Sequence, residues 1–352
     1  MSVSFALGHR GKRSLGLNLK SAQGLALFKR LVAQADMVLS NFKPGTMESL
    51  GLGYETLREI NPRIIVADSS AHGNTGPMSR TMGYGPLVRA TVGLTYLWRD
   101  PSEPTGFSDG ITIYPDHAAA RVLAIGVLSA LVRRRRTSVG GTASVSQAEV
   151  FLGDMATGYL HESLAPGALA PRGNHDEFAA PHGVFPCQGD DEWCVVCVRS
   201  DDEWARLCRA IGRPELADAP DLATTAARLL HREHAEGVLA QWTSEYPPGQ
   251  AAQILQDAGV PAGAMLRLSE FAGEPQLRAR GFMGSVEQPL LGRLDAELGP
   301  TRAERLPEPE LRPAPRMGQH TREVIAEWLR LSATEIEALI AAQVLELELV
   351  TA

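Results

Sequence analysis

Cysteine is scarce in this chain, four residues in 352, which excludes a disulfide scaffold and suits a reducing compartment. No apolar run reaches the ~20 residues of a membrane helix; the longest runs from Val122 to Val132. Residues 1–13 hold neither the apolar stretch nor the cleavage site of a signal peptide. A cytoplasmic protein with no membrane partner is therefore expected. Net charge is −7, so no nucleic-acid partner is expected either. The chain carries no GxSxG elbow, no GxxxxGK(S/T) phosphate loop, no GxGxxG fingerprint and no internal repeat. It also lacks acid near its start. The first acidic residue is Asp36, after Arg10, Lys12, Arg13, Lys20, Lys29 and Arg30. Such a block is either a solvated basic face or a surface for a polyphosphate ligand.

What is present fits a globular chain with a sizeable core, of two domains, at 44% hydrophobic and 21% charged residues. Leu15, Leu17 and Leu19 alternate in a strand-like segment over 14–19, and Ser21 is placed to cap a helix over 22–35. A strand at 37–40, a loop at 41–45, a helix at 54–60 and a buried strand at 64–68 follow. Strands alternating with helices predict a doubly wound parallel sheet, with ligands beyond the carboxyl ends of its strands. The loops 41–45 and 69–77 should then line one site. A strand near 143–146 grades into another helix.

From 183 the texture changes. A hairpin turns about Gly189-Asp190, and Ser200 to Glu203 reads as a capping box opening a helix that stops at Gly212. Helices near 222–243 and 249–258 and a short strand after Gly259 complete a smaller α+β domain. A Pro/Arg-rich connector over 300–315 leads to two closing helices, the second opened by the capping box Ser332 to Glu335.

The chain is organised around Asp116. A β-branched, aromatic run, Ile111 to Tyr114, stops at Pro115; Asp116 follows, then an almost wholly apolar segment ending at Arg133–Arg136. Asp116 should sit where a helix begins, beside free backbone N–H groups and the positive end of the dipole. A helix apolar on nearly every side belongs in a core, packed on both faces. On these residues alone two readings stand: an ordinary helix cap, or an ionised carboxylate able to act as a nucleophile. The Arg133–Arg136 run complements the helix's negative end. Cys194 and Cys197 point to opposite faces of a strand and have no second pair, and His231 and His234 lack a third ligand, so no metal is expected.

A series of motifs runs in order along the chain: Arg10 to Ser14, Leu17 to Lys20, Asn41-Phe-Lys-Pro-Gly45, Leu50 to Tyr54, Asn61 to Ile65, Ser70 to Pro77, Tyr114-Pro-Asp-His117, Val145-Ser-Gln-Ala-Glu149, Pro181-His-Gly183 and Gly259 to Gly263. With these the chain resembles the class III CoA-transferase family, also called CaiB/BaiF. The resemblance implies a Rossmann-like parallel-sheet large domain over 1–183, a small α+β domain over 184–275, and a segment over 276–352 whose helices return to the large domain. It lacks the strand–helix–strand with which family members begin, some 60 residues earlier.

The implied chemistry moves CoA from an acyl-CoA donor to a small carboxylic acid through an aspartyl-CoA thioester on Asp116, with no tightly bound cofactor. Oxyanion stabilisation would come from backbone N–H groups, since no metal cluster is offered. The resemblance assigns Leu17, Asn18, Lys20, Asn41, Phe42 and Lys43 to CoA, and gives the basic opening a purpose. Where many members have a basic residue shortly after NFxPG, this chain has Glu48-Ser49. Tyr84, His182 and Gly183 are expected at the acyl pocket, with packing roles open for Tyr84 and His182. An interlocked homodimer is implied as well. Two alternatives are an α-methylacyl-CoA racemase-like isomerase and a truncated, non-catalytic CoA-binding subunit. Racemases carry Gly-His-Asp where this chain has Gly83-Tyr84-Gly85, and tyrosine is a poor base at neutral pH.

Overall fold

The computed structural model describes all residues except 104, 107–112, 308–309 and 349–352. The chain forms a mixed α/β fold in two compact units. One comprises Met1–Thr95, Asp109–Leu169 and Glu274–Ala352; the other comprises Tyr96–Ser108 and Ala170–Gly273. Residues 111 and 112 of the expected β-branched run lie outside the described residues.

In the first unit β1 is Gly16–Leu17, and three strands, β2 (Met37–Ser40), β3 (Ile65–Ser70) and β4 (Gly141–Ser146), form a parallel sheet in that order. Met37 pairs with Ile65 and Ile65 with Gly141. Helix α1 (Ala22–Val32) starts as its sequence requires, the Ser21 hydroxyl accepting the Gly24 N–H at 3.0 Å. One side of it contributes Val32 to a cluster with Leu52, Leu57 and Ile64; another contributes Leu27 to a cluster with Ile325, Leu329 and Leu345. Helix α2 spans Tyr54–Ile60.

The strand expected over 14–19 shrinks to the two residues of β1. It pairs antiparallel with β10 (Leu345–Glu346) and takes no part in the parallel sheet. Asn18 is the cause: its side chain accepts the Lys20 N–H and donates to the Gln343 carbonyl, bending the chain away from extension. Gly16 is required there, since a Cβ would lie 2.3 Å from the Glu346 carbonyl oxygen.

Helix α3 is Gly85–Thr91, α4 is Tyr114–Thr137 and α5 is Gln147–Asp154. The expectation that α4 is covered on both faces fails in this chain. Only Pro115, Ala119 and Val127 are buried, whereas Val122, Ile125, Leu128 and Val132 are 41%, 65%, 61% and 51% exposed. The sheet explains this: α4 lies over one face of it, with Gly126 opposite Ala143, and nothing described covers its far side. The short apolar run also understated this helix, which is long and apolar enough as a whole to meet the criteria of a membrane span.

The second unit is built on an antiparallel sheet of β5 (His182–Pro186), β6 (Trp193–Cys197) and β7 (Ala262–Ala264). Its helices bury Trp204, Leu207, Leu239 and Leu255 against Cys194 and Val196. The buried Arg228 guanidinium donates to the carbonyls of Ala180 and Leu222 and lies 5.4 Å from the Trp204 ring. Cys194 faces this core and Cys197 is half-buried; burial pushes the Cys187 and Cys208 thiols up to about 11, far from a reactive thiolate. The helix expected over 222–243 is two, Thr225–Leu230 and Arg232–Thr243, parted at His231. At the expected capping box Ser200 accepts the Glu203 N–H, but the Glu203 carboxylate takes the Arg199 N–H rather than that of Ser200.

The closing segment holds a hairpin absent from the sequence reading, β8 (Met283–Gln288) with β9 (Gly292–Glu297). Its strands are half polar and short of β-branched residues. The box at Ser332 and Glu335 forms as read.

Candidate active site around Asp116

Asp116 is the third residue of α4, whose cap is Ile113, so its side chain does not close the helix end. It is held by two other helix starts. Gln147, the first residue of α5, donates from Nε2 to Asp116 Oδ1 at 3.0 Å. Gly85, the first residue of α3, lies so close that a Cβ there would fall 2.2 Å from Oδ2 and 2.8 Å from the Ile113 Cα. Three helix N-termini thus converge on one half-buried carboxylate. Oδ2 is buried and has no hydrogen-bond partner among the described residues. The position follows from the fold: β4 ends at Ser146, where the Ser146 hydroxyl accepts the Glu149 N–H and starts α5, placing Gln147 just past a strand's carboxyl end. Tyr114 fixes the first turn of α4 by packing edge-on against Phe151, ring centroids 5.7 Å apart.

A second feature of this unit is a cavity of about 460 Å³ on the sheet and its adjoining loops. Phe42, Lys43 and Gly45 line it with Asn74, Thr75 and Arg80, so the loops 41–45 and 69–77 do share one site. Arg80 approaches the NFKPG turn closely: a Cβ on Gly45 would be 3.7 Å from its guanidinium. Asp68, on β3, also lines it; burial holds its carboxyl above the ordinary value, against the lowering effect of the Ser144 hydroxyl that donates to it at 2.7 Å.

The sequence-derived site residues distribute unevenly. Phe42 and Lys43 line the cavity, whereas Leu17, Asn18, Lys20, Asn41 and Asp116 do not. Leu17 lies on β1 and Asn18 is engaged with Gln343. The basic opening is largely committed elsewhere: Arg10 pairs with Glu297, Arg13 with Glu323 and Glu327, and Arg30 donates to the Leu329 carbonyl. Tyr84 is 63% exposed and immediately precedes Gly85. His182 and Gly183 open β5 in the second unit, the His182 Nδ1 lying 2.9 Å from the Asn174 carbonyl oxygen; a Cβ on Gly183 would meet Asn174 at 2.7 Å. Gly85, Gln147 and Arg80 were missed. Gln147 was present in the motif Val145 to Glu149 without a role, and only geometry reveals the closeness of Gly85. Among the described residues no cluster of His, Cys, Asp or Glu could hold a metal ion.

Comparison with known proteins bears on the family. The sequence matches CoA-transferase family III over residues 1–321. It is 44% identical to a probable CoA-transferase of Mycobacterium tuberculosis over 346 residues, 97% of this chain but only 43% of that protein, so it spans less than half of that relative. To the succinyl-CoA–D-citramalate CoA-transferase of Chloroflexus aurantiacus it is 34% identical over 96% of this chain and 83% of the relative. A crystal structure of a CaiB/BaiF family protein from Brucella suis superposes with a TM-score of 0.82 at 26% identity, covering 93% of this chain and 84% of the other. The chain belongs to CoA-transferase family III.

Proposed function

We propose that this protein transfers CoA from an acyl-CoA donor to a small carboxylic acid, with Asp116 as the covalent carrier. The observation that carries the reading is the convergence of three helix starts on Asp116. An Asp116 oxygen attacks the thioester carbonyl, the C–S bond breaks, and a mixed anhydride and CoA thiolate result. The thiolate attacks the aspartyl carbonyl and releases the donor acid, leaving an aspartyl-CoA thioester. The incoming carboxylate displaces the thiolate to form a second anhydride, which the thiolate then opens at the acceptor's acyl carbon, freeing Asp116. Each step is an acyl transfer between groups already present, so water is neither needed nor wanted. Lys43 and Arg80 give the cavity two cations suited to CoA phosphates, Arg80 standing in for the basic residue that Glu48-Ser49 replaces. Leu17, Asn18, Lys20 and Asn41 are CoA contacts by family resemblance, as Tyr84, His182 and Gly183 are acyl-pocket contacts.

Relatives named for succinyl-CoA or acetyl-CoA, with citramalate, malate, oxalate or glutarate, support a short acyl-CoA donor and a small, polar acceptor acid. Transfer is favoured over racemisation because Tyr84 stands where racemases carry histidine, and tyrosine is a poor base at neutral pH. The reading includes a cytoplasmic homodimer, for which the exposed apolar side of α4 offers a surface. The test is to incubate the protein with succinyl-CoA, quench with hydroxylamine or borohydride, and map the modified residue by mass. Modification at Asp116, lost with activity in Asp116→Ala, is expected. Modification elsewhere, or an active Asp116→Ala, refutes the mechanism.

A further inference from the structure

We infer that Gln147 is a positioning residue for Asp116, which ties down one carboxylate oxygen and leaves the other as the nucleophile; this rests on the covalent role proposed above for Asp116.

An aspartate side chain turns about two bonds, and its two oxygens are equivalent until something distinguishes them. Here two neighbours do. The Gln147 amide donates to Oδ1 at 3.0 Å, while Oδ2 lies over Gly85, where the missing Cβ leaves it room. Among the described residues nothing engages the lone pairs of Oδ2, which is shielded from water. The amide orientation follows from chemistry: an ionised carboxylate only accepts, so Gln147 must present its NH₂ group to it.

Gln147 looks dedicated to this task. It is 8% exposed, and its Oε1 is buried with no hydrogen-bond partner among the described residues. A buried amide kept for structure would have both ends satisfied, because an unmet acceptor is costly. Among the described residues this one satisfies only the end that meets Asp116. Its attachment is firm, since as the first residue of α5 it is fixed where β4 delivers the chain.

The test uses the full chain with Gln147→Met, close in volume but without the donor, and Gln147→Glu, which sets a second carboxylate against Asp116. In Gln147→Met the kcat of acyl exchange is expected to fall about ten- to hundred-fold, the worth of a hydrogen bond to a charged group, with KM for acyl-CoA within two-fold of wild type. In Gln147→Glu the acid limb of the pH–kcat profile is expected to move upward, since neighbouring like charges resist joint ionisation. Were Gln147 not in contact with the reacting carboxylate, that limb would stay in place. A Gln147→Met protein with wild-type kcat, or an unmoved acid limb, overturns the inference while the Asp116 adduct still forms. Absence of the adduct in wild type overturns the Asp116 reading and this one with it. Glutamate in a first helical turn is favourable, so loss of folding in both variants would assign Gln147 to structure and also overturn it.

Discussion

Replacing Gly85 with alanine puts the geometry around Asp116 under direct strain. The added Cβ would sit 2.2 Å from Oδ2 and 2.8 Å from the Ile113 Cα, whereas ordinary contact begins at 3.4 Å. The carboxylate must therefore retreat by about 1.2 Å, or the α3 start must shift as much. Gly85 has no left-handed backbone torsion, so alanine is conformationally acceptable and gains roughly 0.4–1 kcal/mol by restricting the unfolded chain. Overpacking opposes this at about 1–3 kcal/mol, leaving a net loss on the order of 1–2 kcal/mol, visible as a few degrees in Tm. The catalytic cost is larger. A displacement near 1 Å from the reactive geometry is worth roughly a hundred-fold in rate, so kcat in a CoA-exchange assay followed by chromatography should fall by that order. Gly126→Ala is the control. Its Cβ would meet Ala143 at an ordinary 3.7 Å, and alanine within a helix gains about 1 kcal/mol, so Tm should rise and kcat hold. A Gly85→Ala protein as active as wild type would refute the close approach and the role built on it.

Lys43→Ala and Arg80→Ala are each expected to raise KM for acyl-CoA about two- to five-fold, the worth of an exposed ion pair, with kcat unchanged; the effect should fade with added salt, and an effect on kcat alone would remove these residues from CoA binding. Asp68 should reveal itself through stability against pH. Its folded carboxyl lies above the ordinary 3.8 because of burial, so the folded state holds the proton more tightly than the unfolded one. Its contribution is therefore fully present below pH 3.8 and is lost as pH rises through the folded value. Asp68→Asn keeps an acceptor for Ser144 and should gain stability over wild type on raising the pH from 3 to 7, read by denaturant melts. A difference between the two that does not change with pH would show that burial of Asp68 is not penalised.

The parts of the fold legible in the sequence were those governed by local chemistry. Ser21 and Ser332 cap the helices they announce, and the runs 37–40 and 64–68 become parallel neighbours in one sheet. Asp116 was legible as a charged residue between a proline and a long apolar helix. Its partners were not. Gly85 and Gln147 lie 31 residues to either side of it and reach it only because two separate helices start at the same point. Gln147 beside Ser146 and Glu149 also looks like ordinary helix-start polarity. The apolar pattern of α4 stated a demand for cover but could not say whether this chain supplies it; on Ile125 and Leu128 it does not. Arg80 went unnoticed because a lone arginine in a Gly/Ser-rich loop carries no periodic signal, and the β8–β9 hairpin because its strands lack the β-branched alternation that marks a sheet face.

The pairing of Gly16 with Glu346 joins points 330 residues apart, and neighbouring bonds fasten the same seam: Ser14 with His320, Gly16 with Thr321, Asn18 with Gln343. The entropy of closing so long a loop grows only logarithmically, about 0.6 kcal/mol per doubling, so the seam is thermodynamically inexpensive. Its timing is another matter. Ser14, Gly16 and Asn18 are made more than 300 residues before the partners that fasten them here. Leu27 waits as long for Ile325 and Leu345. Sealing is thus a late event in folding, and the segments it joins should be more open to proteases and chaperones before the seam closes than after.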